Sequence, residues 1–240
     1  MNTTMASNVA TSAGAALFQD VKVLMDRCTF SANVATSGPG GAIITRGVGG
    51  GTMTVNTTSF THNRAVGAGG AVLVEDVISS RRLAHCEFRH NAAVVAGAPA
   101  LAAAVDGERG GGGLAVWGAA DASQRLDVHA CVFDGNTAST NAKGGPGVPV
   151  VGGMGGALLL SRTAAVVTDC MLTGNLADFG GGIAETLPSN PTHAGSSLVL
   201  RGSTVTTNHA NGGGGGVLWH AHEPQFSTGA PNTVADNTAL

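Results

Sequence analysis

An asparagine with a bulky apolar residue three positions before it and an alanine two positions after it recurs along the whole chain. The asparagines are Asn8, Asn33, Asn63, Asn91, Asn136, Asn175, Asn208 and Asn237. The apolar residues before them are Met5, Phe30, Phe60, Phe88, Phe133, Leu172, Val205 and Val234, and the alanines after them are Ala10, Ala35, Ala65, Ala93, Ala138, Ala177, Ala210 and Ala239. A unit repeating every 25 to 45 residues or so is too small to bury a face alone, so neighbouring units must stack, and the chain reads as a solenoid. That constrains shape strongly and says little about any reaction.

Six copies carry a glycine pair after the alanine: Gly40-Gly41, Gly69-Gly70, Gly112-Gly113, Gly155-Gly156, Gly181-Gly182 and Gly215-Gly216, with Gly14-Ala15 as a weaker first form. Short apolar runs such as Ala42-Ile43-Ile44 and Ala157-Leu158-Leu159-Leu160 follow, strand-like in length and too short for a helix. A second strand leads into each asparagine. Eight positions before it stand Met25, Val55, Leu83, Val128, Val167 and Leu200; five before stand Cys28, Thr58, Cys86, Cys131, Cys170 and Ser203. Positions five and three before share one face, because strand side chains alternate with period two, and the odd step from eight to five predicts a solvated corner. Strands recurring once per unit, with no helical period between them, predict an all-β, parallel β-helix of about seven coils with an asparagine ladder. Which face of the strand after the glycines points inward stays open: Ile44, Leu73, Val116 and Leu159 suit one choice, and Glu185 in the same row opposes it.

Composition sets the remaining bounds. A chain of 240 residues that is 43% hydrophobic and 11% charged has material for one core, so residues 1–240 read as a single domain. The 38 glycines sit at fixed places in the repeat, which favours order over low complexity. A net charge of −3 without a basic run argues against a nucleic-acid partner. The stretch from Ala92 to Val105, broken by Gly97 and Pro99, is too short for a membrane helix. Both ends fall inside the repeat, with neither a capping segment nor a signal peptide, which predicts a piece of a longer protein. Cys28, Cys86, Cys131 and Cys170 share one repeat position and read as a buried column of thiols rather than as disulfides or a metal site, with their redox state left open.

Phe30-Ser31-Ala32-Asn33 with Gly40-Gly41-Ala42-Ile43, then Phe60-Thr61-His62-Asn63 with Gly69-Gly70-Ala71-Val72, resembles the alternating repeats of the polymorphic outer membrane proteins of chlamydiae. The resemblance covers nearly the whole chain and implies a right-handed parallel β-helix of the pectin lyase-like group. It further implies a non-catalytic cell-surface or secreted role, as an adhesin-like passenger or a structural spacer. The chain departs from that family in lacking a barrel or signal. The same wide fold group contains polysaccharide lyases, hydrolases and epimerases, which form the alternative expectation, although fold alone does not carry their activity across.

Segments 92–111 and 139–154 are the two long insertions, in neighbouring coils and leaving the solenoid at the same corner. One flank carrying both is the expected surface for a protein or polysaccharide ligand. Asp106-Gly107-Glu108-Arg109 is the charged cluster of the first, and Lys143 the only charge of the second. A lyase would need carboxylates gathering Ca²⁺ beside a basic residue, and a hydrolase two facing acids. Asp26, Asp127, Asp134 and Asp169 lie near the corners at different offsets from the asparagine and form no such set. His62 and His90 precede their asparagines in consecutive coils, but Gly135 follows where a third ligand would stand, and His220-Ala221-His222-Glu223 places its acid on the opposite face. No catalytic, cofactor-binding or metal-ligating residue is therefore assigned, and no cofactor is expected.

Overall fold

The computed structural model describes residues 2–95, 109–118, 125–140, 152–186, 196–219, 225–226 and 231–240. All regular structure among them is β, every pairing between named strands is parallel, and equivalent strands of successive coils lie in register. The chain is a parallel β-helix. One eight-stranded sheet holds the short strands before each asparagine, from Thr4–Ala6 through Phe30, Phe60, Phe88, Phe133, Leu172 and Val205 to Thr233–Ala235. A second holds the strands after it, from Val9–Ala10 to Thr238–Ala239. The third, twelve-stranded, combines the strand after the glycines with the strand leading to the corner, and in two coils these run together as Ile43–Asn56 and Val72–Ala84.

Each coil turns at residues forced into the left-handed region. The residue before each asparagine has positive φ (Ser7, Ala32, His62, His90, Gly135, Gly174, Thr207, Asp236), as does the corner residue six before it (Arg27, Thr57, His85, Ala130, Asp169, Gly202). A single αL residue costs an L-amino acid about 1–2 kcal/mol, so something must hold these turns.

At the first turn that something is a side-chain amide. Asn33, Asn63, Asn91, Asn136, Asn175 and Asn208 are fully buried. The main-chain N–H and Nδ2 of each both donate to Oδ1 of the next asparagine at 2.9–3.1 Å. The second proton of Nδ2 goes to the main-chain oxygen of the apolar residue one coil back, for example Asn91 to Phe60 at 2.9 Å and Asn136 to Phe88 at 2.8 Å. Every polar site of the amide is used, which is what makes its burial tolerable. At the corner a second ladder forms: the N–H of Cys28, Cys86, Cys131 and Cys170 meets Thr58 Oγ1, Cys131 Sγ, Cys170 Sγ and Ser203 Oγ respectively, at 3.1–3.4 Å. All four cysteines are buried and unpaired by disulfides.

The core is a continuous column along the axis. Phe30, Phe60, Phe88 and Phe133 stack through it with centroids 5.1, 4.8 and 4.7 Å apart, and Leu172 and Val205 continue the row. The strand after the glycines proves to be buried on both faces. Ile43, Val72, Leu114, Leu158 and Ile183 point into the main column, whereas Ile44, Leu73, Ala115, Leu159 and Ala184 join Ala13 and Ala68 in a second, smaller cluster.

The glycine register needs correction in four coils. The turn glycine with positive φ is Gly40, Gly69 and Gly155 where expected, but Gly111, Gly180 and Gly214 in the coils expected to begin at Gly112, Gly181 and Gly215. In the first coil Ala13, with φ of 51°, takes that place ahead of Gly14. Runs of three or more glycines carry no side chain to mark which of them turns; the pairing of the following apolar residues decides it. The shift moves Glu185 out of the row of Ile44 and Leu73 and pairs it with Leu160, and it moves Val116 beside Val74. The insertions expected at 92–111 and 139–154 fall mostly outside the described residues.

Candidate functional site

The strand leading to the corner alternates strictly. Val23, Met53, Arg81 and Leu126 point inward, as do Met25, Val55, Leu83 and Val128, all buried. Between them, Leu24, Thr54, Arg82 and Asp127 form one outward row, and Asp26, Asn56, Ala84 and His129 form the next. Leu24, Asp26, Thr54, Asn56, Arg82 and Ala84 line a shallow groove of about 450 Å³ on this face. Leu24 is 71% exposed there.

Asp26 is the groove's carboxylate. Asn56 Nδ2 donates to it at 2.9 Å, and Arg27 Nε lies 3.0 Å from its other oxygen. Partial burial works against the charge, but the Asn56 hydrogen bond and the Arg27 guanidinium outweigh it and hold the carboxyl below the usual range. An acid so held stays ionised at neutral pH, so it suits accepting hydrogen bonds from a ligand and not donating a proton to a leaving group. Across the groove Arg82 supplies an exposed outward cation.

The other corner acids do not gather. Asp127 pairs with Arg125 at 2.5 Å, Asp134 with Arg89 of the preceding coil at 2.7 Å, and Asp169 lies 3.8 Å from His129 Nδ1. Glu75 pairs with Arg46 one coil back. Glu185, fully buried, accepts from the N–H of Ser196 at 2.7 Å. No group of three His, Cys, Asp or Glu among the described residues is arranged to share a metal ion.

In the cysteine column Cys131 lies between its neighbours: its Sγ meets the N–H of Cys86 at 3.3 Å, and its own N–H meets Cys170 Sγ at 3.4 Å. The Cys170 and Cys86 thiols, together with burial, push the Cys131 thiol up, which makes it a poor nucleophile and a poor metal ligand. The histidines do meet across coils: His62 and His90 stand 5.2 Å apart by ring centroid, and His85 and His129 stand 5.6 Å apart in a T-shaped contact. Asp106, Gly107, Glu108, Lys143 and His220-Ala221-His222-Glu223 lie outside the described residues.

Sequence reasoning missed the groove because Asp26, Asn56 and Arg82 come from three coils, and Arg82 stands at a different offset from its asparagine than the other two. It also missed the His85–His129 contact and the burial of Arg81, although period-two alternation from Leu83 places Arg81 on the inward face.

No family model matches this chain, and no curated protein or solved structure proves similar to it. No helix among the described residues is long and apolar enough to cross a membrane.

Proposed function

We propose that this chain is a non-catalytic β-helix of a cell-surface or secreted protein, acting as a stiff spacer or adhesin-like passenger. The observation that carries this reading is how the recurring polar residues are used. The asparagines and the cysteine, threonine and serine row bond to one another along the axis, while the corner acids are each engaged by a neighbouring residue rather than facing a second acid. Such an arrangement gives rigidity at fixed spacing and leaves outward rows for contact.

A protein partner or a spacer role fits better than a sugar-binding platform. Trp117 and Trp219, the only tryptophans, are partly buried and packed against the two core clusters, so their faces are taken up by packing. The groove around Asp26, Asn56 and Arg82 favours the second reading, a polysaccharide-active protein of the pectin lyase-like kind, because paired polar groups there suit hydroxyls.

Incubation with acidic and neutral polysaccharides, with and without Ca²⁺, separates the two when unsaturated product and binding are followed together. The proposal expects no product. Product release that disappears in Asp26→Asn or Arg82→Ala would overturn it in favour of the polysaccharide-active reading.

A further inference from the structure

The stacked turn places two imidazoles side by side at a position where the backbone is fixed from both directions. His62 and His90 take φ of 56° and 54° immediately before the buried Asn63 and Asn91. Their main-chain N–H groups donate to Arg89 and Asp134 oxygens of the following coils, each at 3.0 Å. Both side chains are exposed, and their ring centroids lie 5.2 Å apart with planes tilted by 40°. Arg89, the residue before His90, is engaged by Asp134 and Glu87.

That separation has chemical meaning. With metal–nitrogen bonds of about 2.0–2.1 Å and a ring centroid about 1.1 Å beyond each nitrogen, two imidazoles at a tetrahedral angle stand about 5 Å apart. Gly135, next in the same row, has φ of 62°, and a Cβ there would lie 2.5 Å from His90 Nδ1. The missing side chain therefore makes room for the His90 ring, whose Nδ1–Cε1 edge lies over Gly135. Neutral imidazole is a favoured ligand of Zn²⁺, Cu²⁺ and Ni²⁺.

We propose that His62 and His90 together form a two-imidazole surface site for a divalent transition-metal ion, with the remaining coordination positions held by water or open to a partner's side chain. The site is independent of the spacer or adhesin reading. It needs only the stacked turn, and the ladder fixes the two backbones side by side before metal arrives.

The test is a calorimetric titration of the full chain with Zn²⁺, using Asn as the replacement because it tolerates positive φ better than most residues. His62→Asn and His90→Asn, each with an unchanged far-UV circular dichroism spectrum, are expected to weaken one stoichiometric site at least ten-fold, while His85→Asn leaves it unchanged. With Cu²⁺ bound, electron paramagnetic resonance should report two imidazole nitrogens in the parent site and fewer in either variant. Zn²⁺ binding unaltered in the folded double variant, or no binding to the parent chain at millimolar Zn²⁺, overturns the proposal.

Discussion

The Oδ1 of Asn91 accepts two hydrogen bonds from Asn63, one from its main-chain N–H and one from its side-chain Nδ2, each at 3.0 Å. This single contact ties the left-handed turn of one coil to the side chain of the next. Repeated along the axis, it makes coil-to-coil coupling the source of the fold's rigidity.

Removing one amide from the middle of the ladder should therefore cost far more than removing one at its end. Asn63→Ala strips the acceptor from Asn33 N–H and Nδ2 and the donor from the Phe30 carbonyl, all buried. At about 1–3 kcal/mol for each stranded group, with partial relaxation, a loss of about 3–5 kcal/mol is expected in urea unfolding. Asn8→Ala removes a part-buried donor and should cost about 1 kcal/mol.

Phe88 lies between Phe60 and Phe133, stacked on both. Phe88→Ala opens a cavity in the axial column that rigid neighbouring coils cannot collapse, so a loss of about 3–5 kcal/mol is expected. Phe88→Leu, matching Leu172 in the same row, should recover most of it, as thermal or urea unfolding would show.

The cysteine column contributes hydrogen bonding and packing. Cys131→Ser keeps an acceptor for the Cys86 N–H, as Ser203 does for Cys170, and should stay within about 1 kcal/mol of the parent. Cys131→Val strands that N–H and should cost about 1–3 kcal/mol. Thiol titration with an aromatic disulfide should find the four cysteines slow to react until the chain unfolds.

Asp26 offers a pH test. Its carboxyl is held low by Asn56 and Arg27, so the folded chain binds its proton less readily than the unfolded chain does. The stabilisation is present above the ordinary carboxylate value and disappears as pH falls through the folded one. Carboxyl resonances followed by NMR should place Asp26 below 3.8, and Asn56→Ala should move it upward. An unmoved value would remove Asn56 as the cause.

The columns of Phe, Cys, Asn and Ala were legible in the sequence because every coil restates them, and stacking turns equal offset into contact. His62 and His90 were legible as neighbours for the same reason. The glycine register was not: Gly110 to Gly113 and Gly212 to Gly216 carry nothing to distinguish a turn position from the next, and one slip exchanged Ala184 for Glu185. The groove was illegible because Asp26 and Asn56 share an offset that Arg82 does not. Arg81 shows the opposite case, where alternation pointed inward and its charge argued for solvent.

Native-state hydrogen exchange of the side-chain amides most directly tests the ladder as the element that holds this fold. The Nδ2 protons of Asn33, Asn63, Asn91, Asn136, Asn175 and Asn208 should exchange as slowly as the most protected main-chain amides of the core strands, because both protons are bonded in a dry interior. Exchange at the rate of a free asparagine, in a chain that is otherwise folded, would contradict it.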